Sequence, residues 1–146
     1  MTSGTGSDDG LAEGLIDLAH HVLHLFADVG RAHRLSQQQV ELICAVIVRD
    51  SIGMSELGRI LHVEKSGLSN LVDRLEQRGL VTRYSDPADR RATRITLTGE
   101  GTTTAMTIYN DVTSRVRGLI AGIPQNQRRS TLSAVRAMTG DAPAGR

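Results

Sequence analysis

From Leu11 onward the apolar positions of this chain recur at helical spacing. Leu11, Leu15, Leu18, Val22, Leu25 and Val29 follow one another at alternating steps of four and three, and Ile16 and Phe26 widen the stripe. That spacing predicts about 20 residues of amphipathic helix with a heptad-like seam. A seam so long on a terminal helix needs another helix to cover it, and a second copy of the chain is the simplest source. Ser36-Gln37-Gln38-Gln39 then reads as a capping box, in which the Ser36 hydroxyl accepts from the Gln39 N–H and the Gln39 side chain reaches back. The helix it opens carries Val40, Ile43, Cys44 and Ile47 on one face and ends near Asp50–Gly53. A short helix, Met54 to about Leu61, turns Leu57, Ile60 and Leu61 inward. After His62-Val63-Glu64 another helix runs from Lys65 to Arg78, with Leu68, Leu71, Val72 and Leu75 at helical spacing. Gly79 followed by Leu80 is a Schellman-type stop.

The period then changes. Leu80–Ser85 and Thr93–Leu97 read as strands, joined by the polar turn Asp86-Pro87-Ala88-Asp89-Arg90-Arg91-Ala92, so a hairpin with a basic tip is expected. Thr98 is placed to cap a long helix striped by Met106, Tyr109, Val112, Val116, Leu119 and Ile123, which Pro124 stops. A last helix, about Gln125–Met138, is expected to bury Leu132, Val135 and Met138. Met1–Gly10 is Gly, Ser, Thr and Asp and reads as a disordered tail; residues 140–146 read as a second tail. The expected class is mainly α with a small β-hairpin wing: one winged helix-turn-helix domain over residues 11–139. Its long N- and C-terminal helices are expected over about 11–34 and 99–139, with a central lobe over about 36–98.

Composition fits that picture. With 146 residues, 39% hydrophobic and 23% charged, the chain is the size and make-up of one ordinary globular domain. Aromatics are 2%, namely Phe26, Tyr84 and Tyr109, so the core is aliphatic and favours packed helices. The net charge of +1 is not that of a typical nucleic-acid binder, but Arg83, Arg90, Arg91 and Arg94 cluster against Asp86 and Asp89. Distribution matters more than the total. The single cysteine, Cys44, excludes an intramolecular disulfide and any Cys-based zinc pattern. No signal-like segment opens the chain and no run approaches the ~18 apolar residues of a membrane span. The cytoplasm is the expected location, with no membrane partner and no cofactor. There is no Gly-rich phosphate loop, nucleophile elbow or metal-binding His/Glu motif, so no enzyme is expected.

A short helix, a three-residue turn and a second helix form a helix-turn-helix. The second helix is aliphatic on one face, whereas the other carries Lys65, Ser66, Gly67, Ser69 and Asn70, with Arg74 further along. Small and hydrogen-bonding side chains suit an element that enters a major groove about 12 Å wide and reads base edges. Arg90, Arg91 and Arg94 at or beside the hairpin tip are placed to reach phosphates or a neighbouring minor groove. Asp89 is expected to fix one of these arginines by pairing with it. Double-stranded DNA is the expected partner.

Three segments, Met54–Leu61 (MSELGRIL), Lys65–Val81 (KSGLSNLVDRLEQRGLV) and Asp86–Thr98 (DPADRRATRITLT), resemble the MarR family of transcriptional regulators. The Asp-Arg-Arg turn followed by Leu-Thr and Gly is the most specific sign, and the resemblance covers about Leu11 to Met138. It implies a two-fold homodimer formed by the first helix and the last two. It further implies a pseudo-palindromic operator with half-sites roughly 34–36 Å apart. A small, often phenolic, effector would bind between the dimerisation helices and the DNA-binding lobe and favour the DNA-incompetent form. The expected role is that of a ligand-responsive repressor. Gly67 stands where the family more often has Thr, Ser or Ala, and Asn70 where Arg is frequent; an amide there is better matched to adenine.

Other residues invite a sensing role. Cys44 lies in step with Val40, Ile43 and Ile47, where a buried thiol is an inert small hydrophobe. His20 and His24 share a face beside His21, without a second ligand pair, so no metal is assigned. His20, His24, Arg31 and His33 are the candidates for effector contact, with packing or solvated roles as the alternative. A redox- or metal-sensing regulator on the same fold, or a winged helix used for protein–protein contact, remain the rival readings.

Overall fold

The computed structural model describes residues 5–140. Its elements run α1 (Thr5–His33), α2 (Gln37–Ile47), β1 (Ser51–Gly53), α3 (Met54–Leu61), α4 (Lys65–Gln77), β2 (Val81–Ser85), β3 (Thr93–Leu97), α5 (Gly99–Ile120), a 3-10 turn (Gln125–Gln127) and α6 (Arg128–Thr139). The order matches the sequence reading with one addition: Ser51–Gly53, expected to end a helix, is a strand. The sheet is therefore three-stranded and antiparallel in the order β1-β3-β2. Ile52 lies opposite Ile95, and Gly53 opposite Arg94. α1 also starts earlier than its apolar stripe. Thr5–Gly10, expected to be disordered, is helical; Asp8 in the first turn complements the positive end of the helix dipole. The rest of the expected tails, Met1–Gly4 and residues 141–146, lie outside the described residues.

Two compact units divide the chain, Met1–Val112 and Thr113–Arg146. The first holds the core: Val29, Val40, Leu42, Ile43, Val46, Ile52, Leu57, Leu68, Val72, Leu75, Ile95 and Ile108 are all nearly or wholly removed from solvent. The stripe on α4 is buried as its spacing predicts. On α3 only Leu57 is buried, while Ile60 is 37% exposed. On α1 burial is confined to the C-terminal end, at Leu25, Val29 and Gly30, and Leu11, Ile16 and Leu18 stand out in solvent at 62%, 58% and 45%. On α5 the buried residues are Gly101, Ala105, Ile108 and Val112. Of the expected stripe Val112 is among them, whereas Met106 and Leu119 are exposed. In the second unit no described residue is buried. Leu132, Val135 and Met138 of α6, expected inside, are 48%, 43% and 54% exposed.

The joints follow from local chemistry. The capping box forms: Ser36 N–H donates to Gln39 Oε1 at 2.8 Å and Gln39 N–H to Ser36 Oγ at 3.2 Å. α4 closes in a Schellman motif, with Gly79 at φ +74°, Gly79 N–H donating to Glu76 O and Leu80 N–H to Leu75 O. Thr98 caps α5 by accepting from Gly101 N–H at 2.9 Å, and its hydroxyl donates to Gly79 O at 2.6 Å. The end of α4 and the start of α5 are thus tied at one point.

Candidate nucleic-acid interface

The helix-turn-helix is built from α3, His62–Glu64 and α4. His62 caps α3 in the left-handed region (φ 53°, ψ 43°), a conformation that costs roughly 1–2 kcal/mol for a residue with a Cβ. The turn is so tight that Val63 N–H reaches Gly58 O at 3.0 Å. A Cβ on Gly58 would stand 3.1 Å from Val63 O, a tight approach that favours glycine where the two helices meet. Burial of Leu57 and Leu68 on either side of the turn locks the angle hydrophobically.

That packing leaves one face of α4 to solvent. Lys65, Ser66, Gly67, Asn70 and Arg74 are exposed, and among the described residues none of their side chains is held by a hydrogen bond or ion pair. Ser69 differs from its expected neighbours. It is half-buried, and both its carbonyl and its hydroxyl accept from Arg83 Nη2, at 2.8 and 3.5 Å. Arg83 Nη1 also pairs with Asp73 Oδ1 at 2.5 Å and Glu76 Oε1 at 3.0 Å. One guanidinium on β2 thereby fastens the hairpin to the middle of α4. Sequence reasoning counted Arg83 as part of the basic patch and missed this use. The acids three apart on the inner flank of α4 were the only hint, and their partner lies across a turn.

The hairpin tip is fixed by its two aspartates acting on backbone. Asp86 Oδ1 accepts from Ala88 N–H at 2.9 Å, and Asp89 Oδ1 from Arg91 N–H at 3.1 Å. Asp89 thus shapes the turn through the main chain instead of pairing with an arginine side chain. Arg90 and Arg91 project freely from it and are exposed. Arg94, expected with them, is half-buried within the sheet. Its Nε donates to Ser51 Oγ at 2.8 Å and its Nη1 lies 3.7 Å from Asp86 Oδ2. Ser51 Oγ also bonds the Tyr84 hydroxyl at 2.7 Å, and that bond, followed by Arg94, draws the Tyr84 phenol below its ordinary range. Arg94 therefore braces the hairpin against β1.

Lys65, Ser69, Arg91 and Arg94 line one open groove of about 1230 Å³ between the helix-turn-helix and the hairpin, together with Arg59, Arg83, Glu56 and Glu64. Gly67, Asn70 and Arg74 line a smaller cleft of about 290 Å³ on the other flank of α4, against Ser36 and Gln38 of the α2 cap. Ser66 and Arg90 border neither, and neither do His20, His24, Arg31 and His33. Those four lie along α1: His20 and His24 are exposed, Arg31 pairs with Asp28, and His33 is half-buried. The carbonyls of His33 and Arg34 accept from the Arg78 guanidinium at 3.5 and 2.5 Å, tying the end of α4 to the end of α1. Among the described residues no three His, Cys, Asp or Glu side chains converge as metal ligands. Cys44 is half-buried; burial, and after it the negative charge of Glu41, push its thiol up to about 11. At neutral pH it holds its proton and is a poor nucleophile. Among the described residues no helix is long and apolar enough to cross a membrane.

Comparison with known proteins bears on this geometry. The sequence profile of the MarR family matches residues 35–93. A curated relative, the uncharacterized HTH-type transcriptional regulator YdgJ of Bacillus subtilis (strain 168), is 23% identical over 104 residues. That match covers 71% of this chain and 63% of the relative, so the chain spans less than two thirds of the relative's length. Among solved structures, S. aureus MepR in its DNA-binding conformation superposes with a TM-score of 0.80 at 16% identity, covering 89% of this chain and 96% of that one. NadR in complex with 4-hydroxyphenylacetate superposes with a TM-score of 0.77 at 20% identity, covering 90% of each. At these identities the likeness is one of fold.

Proposed function

From the match of residues 35–93 to the MarR family, we propose that the chain is a homodimeric, sequence-specific DNA-binding regulator of that family. It acts in the cytoplasm as a ligand-responsive repressor and has no catalytic role. The observation that carries this reading is the division of labour around α4. Lys65, Ser66, Gly67, Asn70 and Arg74 are free on one exposed face, and Arg83 fixes beside them a hairpin whose Arg90 and Arg91 are also free. Base edges would be read by the α4 face and phosphates bound by the wing arginines. Arg94 supports the wing from within, and Ser69 anchors it.

Dimerisation is supported by apolar surface that lacks cover. Leu11, Ile16 and Leu18 on α1, and Leu132, Val135 and Met138 on α6, are all at least 43% exposed. A second copy of the chain would bury both sets, and a two-fold axis would present two α4 helices to a pseudo-palindromic operator. The small-molecule half of the reading rests on NadR, which was solved with a phenolic acid. His20, His24, Arg31 and His33 are the residues of α1 assigned to effector contact.

Selection from random-sequence duplex DNA, sequenced and repeated at two salt concentrations, tests the function. The expected result is a pseudo-palindrome bound with steeply salt-dependent affinity. Recovery of no motif, with only weak salt-sensitive binding, would overturn it and leave a winged helix that meets another protein.

A further inference from the structure

The groove between α3, α4 and the wing contains an acid where a DNA-binding surface gains nothing from bulk negative charge. Glu64 occupies the N-cap of α4, with φ −68° and ψ 158°, and its carbonyl starts the helix by accepting from Leu68 N–H at 2.9 Å. Caps favour Ser, Thr, Asp and Asn, whose short side chains reach the free N–H groups of the first turn. The Glu64 side chain makes no such bond. It is exposed, it lines the groove beside Lys65 and Arg91, and among the described residues it enters no ion pair. Its carboxylate is therefore held by nothing in the free protein.

Resting on the reading of α4 as the recognition helix, we propose that Glu64 determines specificity by accepting a hydrogen bond from the exocyclic amine of a cytosine in the major groove. The N-terminal end of a recognition helix is the part that meets base edges. Near the groove floor the donors are the cytosine N4 and adenine N6 amines. Adenine sets its N7 acceptor beside N6, where it would face a carboxylate's lone pairs, so cytosine is the better match, and the groove rims offer only phosphate. The free N–H groups of α4 and the Lys65 ammonium offset phosphate repulsion around the acid. Glu56, the other acid of the groove, sits on α3, the helix that crosses the backbone, and has no base edge to meet.

Random duplex selection with the full-length protein and with Glu64→Gln and Glu64→Ala tests this. The native protein should enrich cytosine at one position of its motif. Glu64→Gln should move that position toward adenine, whose N6 and N7 match an amide. Glu64→Ala should level it, with the other positions unchanged. Direct competition between the cytosine and adenine duplexes should change by about tenfold between native protein and Glu64→Gln. Thermal unfolding of the exposed-site variants verifies that they fold. If both variants recover the native motif unchanged and bind every duplex more tightly, Glu64 acts only as a charge near phosphate and the proposal fails. If the native protein itself enriches no motif, it is the DNA-reading function that fails first.

Discussion

Gly101→Ala is a substitution that an isolated helix would welcome and that this fold should not. Alanine is favoured over glycine by about 1 kcal/mol in a helix interior. Here a Cβ at position 101 would stand 1.8 Å from Leu80 O, 2.7 Å from its carbonyl carbon and 3.0 Å from its Cα. An ordinary carbon–oxygen approach is about 3.3 Å or more, so α5 and Leu80 would have to separate by roughly 1 Å or more. Leu80 is not free to retreat. Its carbonyl accepts from Thr98 N–H and its own N–H donates to Leu75 O, both at 3.0 Å. Overpacking costs typically about 1–3 kcal/mol, and here it should lie at the upper end because every obstructing atom is backbone. Loss of the Thr98–Leu80 bond adds about 1 kcal/mol. After the propensity gain, a net destabilisation of about 2–3 kcal/mol is expected. Urea unfolding followed by circular dichroism reads it, at equal protein concentration because association shifts apparent stability. Gly99→Ala, with nothing within 4 Å of the added carbon, is the control and should be neutral or slightly stabilising. Equal midpoints for the two variants would refute the packing account.

Arg83→Ala should destabilise the fold by only about 1–2 kcal/mol, because its pairs are partly exposed. It should weaken DNA binding more than that, since the wing loses its anchor on α4; titration of the selected operator and thermal melts compare the two. Arg91→Ala should weaken binding to all sequences and lower the salt slope by about one, whereas Asn70→Ala should relax preference at one base pair by about 1–3 kcal/mol. Equal behaviour of the two would refute that division. For Cys44, alkylation should be slow near neutral pH and accelerate only toward the raised value of about 11. Since the folded thiol holds its proton above its ordinary 9.0, the stability it contributes is full below that pH and is lost as the pH rises to about 11. Cys44→Ser should remove that slope, and peroxide-driven DNA release dependent on Cys44 would contradict the inert-thiol reading.

Much of the helix-turn-helix was legible because its signals are local. The Ser36 box, the Gly79 stop, the α4 stripe and the Thr98 cap each occupy a few neighbouring residues, and each formed where the pattern put it. What escaped the sequence depends on distant partners. Ser51–Gly53 is too short to show a period and is a strand only because β3 pairs with it. Arg83 and Arg94 look like their neighbours Arg90 and Arg91 in the sequence. Only tertiary contact separates the two that brace the wing from the two that remain free. The stripe of α6 reads as buried and that of α1 as a seam for another helix, yet much of the apolar surface of both is uncovered within one chain. Periodicity reports that a face will be buried but not by which molecule.

Gly53 closes β1, pairs with Arg94 in the hairpin, and is also the residue from which α3 starts. No linker therefore separates the wing from the helix-turn-helix, and Arg83 closes the remaining side. The reach from the α4 face to the tip arginines is a fixed length, like one rigid jaw of a caliper. Such a jaw cannot be adjusted from within. If the chain is the ligand-responsive dimer proposed above, the small molecule that releases it from DNA would have to change the gap between two jaws, leaving each one intact. A lone lobe should accordingly keep its affinity for a single half-site whether or not the effector is present.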